Sequence, residues 1–383
     1  MNNPAKDSAV EVSVVLPCRN EEASIGGCIK QIKDVFKQNY IRGELIVSDS
    51  SIDRSPDIAK KLGAILVKHD KEGYGNAYLE GFKHVNGRYI FCADADGTYD
   101  FREIPKFIKE LQDDNTLVVG NRFGGKIHEG SMPFMHRYIG NPVLSLTLRV
   151  LFGGKVHDTH CGMRAFTKEV LKKLNLQTTG MEFASEMVIQ AVKNNVQIKE
   201  LPIDYYQRRG ESKLRTLSDG WRHLRFMLLY SPTFLFLYPG LFLFLLGITS
   251  MLWLYYMDIK VILSAQILPY LIASSLLILM GVQIMIFALF TKTYAMTNLC
   301  EKNIKLERFY KFATLEKGII FASILAISGM AFLAFSLYSW QQSGFSELDQ
   351  VKNTVVALTL LILGIQTFFS SFMISILGIG QKR

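Results

Sequence analysis

Short β-branched runs alternate with helical periodicity along the first part of the chain. VSVVLP (Val12 to Pro17) predicts a strand, and EASIGGCIKQIKDVF follows with Ile25, Cys28, Ile29, Ile32 and Phe36 at helical spacing. ELIVSDS predicts a second strand running into Asp49, and Ser55-Pro56 predicts a helix N-cap with proline in the first turn. GAILVKH, RYIFCADAD and TLVVGNR predict three more strands, separated by the helices YGNAYLEGFKHV and FREIPKFIKELQ. Strands alternating with helices predict an α/β domain whose parallel sheet is covered on both faces. Ligands of such sheets bind beyond the carboxyl ends of the strands. Asp49, Asp94, Asp96 and Arg122 fall at those ends and are expected to converge in one cleft.

The pattern changes near residue 230. Four apolar segments follow, Phe234 to Tyr256, Ile267 to Phe290, Gly318 to Tyr338 and Val355 to Gly378, each long enough to cross a bilayer as a helix. The connection TKTYAMTNLCEKNIKLERFYKFATLEK and the terminal QKR are rich in lysine and arginine, whereas the loops around Asp258 and SGFSELDQ are poor in them. The positive-inside rule therefore puts the enriched segments and the N-terminal domain in the cytoplasm, which an even number of spans allows. Between the two parts, SDGWRHLRFMLLYSP places Trp221, Leu224, Met227 and Leu228 on one helical face, with Arg222, His223 and Arg225 largely elsewhere. That pattern suits a helix lying in the membrane interface. The expected organisation is a catalytic domain over residues 1–215, an interfacial segment over 216–232 and a membrane domain over 233–383.

Composition sharpens this picture. The chain has 383 residues, 49% of them hydrophobic, which is high for a soluble protein and is concentrated in the second part. A net charge of +9 is compatible with nucleic acid, but beside membrane spans it is better read as lysine and arginine held near anionic headgroups. The five cysteines have no CxxC spacing, which argues against a zinc site or a disulfide framework and fits a reducing compartment. The opening MNNPAKDSAVEVS has no apolar core, so no cleaved signal peptide is expected.

The stretch YIFCADADGTYD carries the first chemistry. Its apolar run stops at Asp94 and Asp96, two carboxylates one residue apart. Carboxylates so spaced after a buried strand can reach one hard cation, and Mg2+ or Mn2+ bound this way keeps sites open for phosphate oxygens. A bridging cation of this kind neutralises a departing diphosphate.

SVVLPCRNEEASI, IVSDSSIDRS, EGYGNAYLEGF, DADGTYD and GNRF occur in an order and spacing that resembles the family 2 glycosyltransferases, over roughly residues 11–230. YYQRRGESKL and the membrane helices after it make the narrower resemblance to polyprenyl-phosphate hexosyltransferases, among them the dolichyl-phosphate mannose and glucose synthases. The resemblance implies an A-type nucleotide-sugar fold with a parallel-rich central sheet, followed by a helical transmembrane domain. It implies that Pro17, Asn20 and Glu21 form the first nucleotide-binding loop, that Asp49 contacts the base, and that Asp94 and Asp96 engage diphosphate and metal. Ser48 stands where the family has a first aspartate before Asp49, and Thr98 stands where the mannose synthases have a metal-contacting glutamine.

Acceptor phosphate calls for cationic, forked donors. Arg122 matches the arginine that holds acceptor phosphate in the family, and Arg137 in MHRYIGN is a second candidate clamp. Arg208, Ser212 and Lys213 match the family's Arg-x-x-Gly-x-Ser-Lys segment with a spacing one residue shorter. HDTHCGMRAF suggests metal through His157, Asp158 and His160, but it resembles a family loop that helps to close the donor site. Glu182 and Glu186 fall at i, i+4 of one predicted helix. A phosphate acceptor is already anionic and needs no base, so Glu182 is expected to bind sugar hydroxyls or cap the helix.

The reading that follows is transfer of a hexose from a nucleotide diphosphate sugar, of UDP-glucose or GDP-mannose type, to dolichyl or undecaprenyl phosphate, with inversion implied by the resemblance. Its catalytic residues are expected to be Asp96, Arg122 and Glu182, with Mg2+ or Mn2+ as cofactor. The expected partners are the nucleotide sugar, the polyprenyl phosphate lipid and the membrane; nucleic acid is not expected, and a homo-oligomer is left open. Two rivals remain. A processive polysaccharide synthase would carry Gln-x-x-Arg-Trp, which the chain lacks. A catalytically silent membrane scaffold would have no reason to keep Asp49, Asp94, Asp96 and Arg122.

Overall fold

The computed structural model describes residues 10–112, 115–210, 216–256, 267–298, 308, 310, 314–342 and 349–378. The chain divides into two compact units, the first ending at Met227 and the second beginning at Leu228.

The first unit is built on a seven-stranded sheet of order β3-β2-β1-β4-β6-β5-β7. The strands are β1 (Val12–Cys18), β2 (Gly43–Asp49), β3 (Ile65–Lys68), β4 (Tyr89–Cys92), β5 (Thr116–Asn121), β6 (Arg164–Thr167) and β7 (Gln197–Pro202). β1 lies parallel between β2 and β4, in the register Val12 with Gly43 and Val12 with Tyr89. Val12, Val14, Val15 and Leu16 are fully buried, because a central parallel strand is covered on both faces and has no polar side to show.

The sheet is parallel-rich, as expected, and its one reversed strand among the described residues lies in its second half. β6 runs antiparallel between β4 and β5, pairing Tyr89 with Thr167 and Leu117 with Phe166. β7 then pairs parallel with β5. The long excursion from Arg122 to Met163 brings the chain back reversed, and RAFT is too short to show any periodicity of its own. The sheet is mixed and rich in parallel pairs, in keeping with an A-type nucleotide-sugar fold.

The helices of this unit are α1 (Ile25–Gln38), α2 (Ser55–Lys61), α3 (Tyr74–Phe82), α4 (Ile104–Lys109), α5 (Asn141–Phe152), α6 (Lys168–Leu174), α7 (Phe183–Lys193) and α8 (Thr216–Leu229). α1 buries Ile25, Cys28, Ile29 and Ile32, the stripe expected from its spacing. Ser55 differs from expectation: it is the first residue of α2 and not its cap. Asp53 accepts the Ser55 N–H (2.9 Å), which leaves the Ser55 hydroxyl to accept the Glu21 N–H (2.9 Å). A serine that reads as a cap is thus spent on fastening the first loop.

α8 also turns differently from its pattern. Trp221 is 58% exposed, while His223, Phe226 and Met227 are buried. His223 goes inward because its ring finds a partner there: Nδ1 lies 2.9 Å from the Ser185 hydroxyl on α7.

The second unit holds four helices long and apolar enough to cross a membrane: Thr233–Tyr256, Leu268–Thr297, Leu315–Gln342 and Lys352–Gly378. They run past the apolar segments at one end or both, through Thr233, Thr297, Gln342 and Lys352. Their crossings use small residues. A Cβ on Gly329 would sit 2.6 Å from the Leu361 nitrogen, and one on Gly364 would sit 2.6 Å from the Ala326 nitrogen, so the third and fourth helices meet backbone to backbone.

Candidate active site

Four strand ends of the first unit carry the candidate residues. At the end of β2, Asp49 is fully buried, and its Oδ1 accepts the Ser51 hydroxyl (2.6 Å). The same hydroxyl oxygen accepts the Asn20 N–H (2.7 Å), and the Asn20 side chain accepts the Ile52 N–H in return (3.0 Å). The loop after β1 and the loop after β2 are therefore one hydrogen-bonded unit. Pro17, opposite Ser48 in the register, leads into it. Beside it opens a cleft of about 860 Å³, lined by Arg19, Asn20, Ser50 to Ile52, Lys68 to Asp70 and Glu72.

Beyond β4 the chain enters the loop of paired carboxylates. Thr98 holds Asp96 through its backbone N–H (3.0 Å) and its hydroxyl (2.6 Å), both to Oδ1. Asp94 Oδ1 accepts the Tyr74 hydroxyl at 3.0 Å. Its Oδ2 lies against Gly162, where a Cβ would stand 2.6 Å from the oxygen, so glycine is required at that position by close approach. Burial, reinforced by the neighbouring Asp96 carboxylate, pushes Asp94 up to about 7.

The counter-charge comes from Arg208. Its Nη2 lies 2.7 Å from Glu21 Oε1 and its Nη1 lies 3.4 Å from Asp96 Oδ2. Despite the cost of burial, Asp96 and Glu21 keep this guanidinium above its ordinary pKa. The Arg208 segment is tied over the carboxylate loop by two backbone bonds, Tyr206 N–H to Thr98 O and Arg209 N–H to Asp96 O, both 3.0 Å. Arg208 thus joins Glu21 of the first loop to the paired aspartates. Ser212 and Lys213 lie outside the described residues.

Asp94 and Asp96 suit a hard divalent cation. Two carboxylates lie near each other, and the Asp96 charge adds to the burial that raises Asp94, a burden a bound cation would offset. Among the described residues no group of three or more His, Cys, Asp or Glu side chains is gathered for metal. Two carboxylates alone would leave positions on such a cation for phosphate oxygens and water.

Arg122, just past β5, has a different setting from that suggested by its position. It is 6% exposed and is gripped by Asp158: Nε to Oδ2 and Nη2 to Oδ1, each 2.7 Å, with the Arg122 N–H to Oδ2 at 3.0 Å. Its guanidinium carbon also lies 5.1 Å from the centre of the Tyr205 ring. Asp158 takes two of the five guanidinium donors. Arg137 lies on a π-helical turn, His136–Gly140, with its guanidinium over Tyr138.

The His157-Asp158-His160 trio has dispersed partners. His157 Nδ1 meets Glu200 (2.7 Å), Asp158 holds Arg122, and His160 lies between the Thr159 and Ser185 hydroxyls (2.9 and 3.2 Å). Glu182 and Glu186 also part company. Glu186 is saturated by the N–H groups of Gln177 and Thr178 and by the Thr178 hydroxyl, and anchors the loop before α7. Glu182 stands at the N-cap of α7, and its Oε2 is buried without a hydrogen-bond partner among the described residues.

Several site residues escaped the sequence reading. Tyr74 and Ser51 act through contacts spanning 20 and 2 residues, and only Ser51 had a local cue, in SDSS, while Asp158, read as a candidate metal ligand, instead holds Arg122 across 36 residues. An exposed apolar stripe escaped too. Phe134, Tyr138, Val143, Leu146 and Val150 are all at least half exposed along the π-helical turn and α5. Their spacing of three to five residues is a helical apolar face, a legible signal that the flanking GSMP and FGGK obscured.

Comparison with known proteins adds relatives to this geometry. The model described as glycosyl transferase family 2 matches residues 13–175, and the one described as glycosyltransferase family 2 C-terminal transmembrane region matches residues 289–378. The low-salt glycan biosynthesis hexosyltransferase Agl6 of Haloferax volcanii is 39% identical over 373 residues, covering 97% of this chain and 90% of that protein. The dolichyl-phosphate hexose transferase of the same organism is 32% identical over 213 residues, 55% of this chain and 89% of that one. Among solved structures, mannosyl-3-phosphoglycerate synthase from Rubrobacter xylanophilus is 20% identical with a TM-score of 0.47, over 57% of this chain and 73% of that one.

Proposed function

Since the chain belongs to glycosyltransferase family 2 and is an integral-membrane hexosyltransferase, we propose that it moves a hexose from a nucleotide diphosphate sugar to a polyprenyl phosphate. The observation that carries this reading is the convergence of Glu21, Asp96 and Arg208, with Asp94 beside them, in a chain that also has four membrane-crossing helices. The name of the dolichyl-phosphate hexose transferase supports the lipid acceptor.

The roles follow from the chemistry of the groups. The cleft at Asn20, Ser51 and His69 takes the nucleoside, with Pro17, Glu21 and Asp49 on the hydrogen-bonded loops that carry Asn20 and Ser51. Asp94 and Asp96 would hold Mg2+ or Mn2+, which when bound would neutralise charge building up on the departing nucleotide. An oxygen of the acceptor phosphate attacks the anomeric carbon, a new carbon–oxygen bond forms, and the bond to the nucleotide phosphate breaks with inversion. The attacking oxygen is already anionic, so no proton has to leave it and no general base is needed. Glu182, with an oxygen awaiting a donor, then holds sugar hydroxyls. Arg208 can exchange its hold on Asp96 for a phosphate oxygen as charge redistributes, and electrostatic stabilisation of this kind is commonly the largest catalytic contribution. Arg122, Arg137, Ser212 and Lys213 complete the acceptor side. The apolar stripe of α5, flanked by Arg137 and Arg149, meets the lipid surface from which the acceptor comes. Lysine and arginine in the loops put the catalytic unit on the cytoplasmic face.

The test is purified protein in detergent with a panel of labelled nucleotide sugars and both dolichyl and undecaprenyl phosphate. Lipid-linked hexose is expected, lost with chelator and restored by Mg2+ or Mn2+. Asp96→Ala should keep the fold and lose nearly all turnover. Transfer only to a growing glycan, or full activity of Asp96→Ala, overturns the reading.

A further inference from the structure

We propose that Tyr74 is a positioning residue for the cation site: its hydroxyl fixes the orientation in which the Asp94 carboxylate meets Mg2+ or Mn2+. The inference rests on the divalent-cation reading above and adds a residue outside the paired aspartates.

Two contacts define how Asp94 lies. The Tyr74 hydroxyl donates to Oδ1 at 3.0 Å. Against the carboxylate stands Gly162, where a Cβ would be 2.6 Å from Oδ2 and 3.0 Å from both Cγ and Oδ1. Distances that similar mean that the flat face of the carboxylate rests on the Gly162 backbone. Gly162 is itself held, since its N–H donates to the Tyr99 hydroxyl (2.8 Å). Arg164, two residues on, donates to the Cys161, Thr159 and Ala184 carbonyls (2.9, 2.7 and 2.8 Å) and fastens the same loop. This packing limits the tilt of the carboxylate but not the direction in which each oxygen points. Tyr74 sets that direction.

Tyr74 is in turn placed by a segment about a hundred residues further along the chain. It opens α3, and the next two N–H groups, among those a helix leaves open in its first turn, are taken from outside. Gly75 donates to the Gly180 carbonyl (3.2 Å) and Asn76 to the Thr179 carbonyl (3.1 Å). A Cβ on Gly73 would sit 2.3 Å from the Thr179 oxygen, and one on Gly75 would sit 2.2 Å from the Thr178 oxygen. Gly-Tyr-Gly is therefore pressed onto that backbone, and the Tyr74 ring packs edge-on against Tyr78 with centroids 5.0 Å apart. The same segment is anchored by Glu186 and leads into Glu182. The hydroxyl on Asp94 is thus fixed from the side of the chain that carries the candidate sugar contact. A partner that orients a ligating carboxylate from outside the ligand set is typically worth about ten- to hundredfold in metal affinity.

The experiment follows Mn2+ uptake by the full detergent-purified chain, with UDP or GDP present, through the electron paramagnetic resonance of the free ion. Tyr74→Phe keeps the ring and removes only the hydroxyl. It should bind Mn2+ at least about tenfold more weakly, with its midpoint of urea unfolding little changed. Its kcat at saturating Mn2+ should fall less than the affinity does. Gly162→Ala, whose Cβ must displace the carboxylate, should weaken Mn2+ as well and keeps the test decisive should Tyr74→Phe unfold. Unchanged Mn2+ affinity in the folded variants, or turnover lost with that affinity intact, overturns the positioning role. If Asp94→Asn then still abolishes uptake, the cation reading stands. A folded, unaltered chain that takes up no Mn2+ with either nucleotide overturns both.

Discussion

At the scale of single residues, several charges of the candidate site are answered by opposite charges. Arg122 and Asp158 form the most enclosed of these pairs, with both side chains under a tenth exposed. Removing one partner of such a pair leaves an uncompensated buried charge. Arg122→Ala and Asp158→Ala should therefore each destabilise the catalytic unit by about 3–5 kcal/mol. The double variant should lose less than the sum, since the second removal relieves the charge stranded by the first. Chemical unfolding of the four proteins in one detergent checks this, and strict additivity would mean that the two groups do not interact. The same geometry refines what a transfer assay of Arg122→Ala reads: activity lost together with stability speaks for scaffolding, and activity lost in a folded protein speaks for acceptor contact. The strand-end position of Arg122 was legible in the sequence. Its partner was not, because Asp158 lies 36 residues away and in the sequence competes with two histidines for a metal reading.

At the scale of elements, α8 is fastened to the catalytic unit through a buried polar chain. Ser145 of α5 meets the Thr159 hydroxyl (3.0 Å), Thr159 meets His160, His160 meets Ser185 of α7, and Ser185 meets His223 of α8. Burial lowers His223 to about 4, and burial together with the neighbouring His223 holds His160 well below its usual value. Both rings are neutral in the folded protein, whereas in the unfolded chain a histidine titrates near 6.5. Below that value the unfolded state binds the extra protons. The stability these rings contribute is therefore complete above about pH 6.5 and is lost as pH falls toward 4, with a slope of at most about 1.4 kcal/mol per pH unit for each ring. Thermal unfolding between pH 4.5 and 7.5 should show this slope, and His223→Gln should flatten it. An unchanged slope in that variant would remove His223 from the account. The helical period of α8 was readable in the sequence, but which face turns inward was decided by a serine on another helix.

At the scale of the whole molecule, the sequence separates two kinds of chain chemistry, and topology joins them. A tag inserted between the second and third membrane helices, in the residues 299–313, should be reached from the cytoplasmic side only, like the catalytic unit. One inserted at 343–348 should be reached from the opposite side. Accessibility of both tags from one side would break the four-span count or its orientation. What the sequence by itself determined is whatever depends on near neighbours: the alternation that makes β1 to β5 and their helices, the four apolar spans, and the strand-end positions of Asp49, Asp94, Asp96 and Arg122. These follow from the period of side chains along a strand or helix, and from the length a bilayer requires. Only the tertiary structure decided the antiparallel entry of β6, the Tyr74 and Gly162 contacts on Asp94, the bridge of Arg208 from Glu21 to Asp96, and the pairing of Arg122 with Asp158. Each of these joins segments far apart in the chain, and a charge or hydroxyl carries no mark in the sequence of which distant partner will meet it once the sheet has closed.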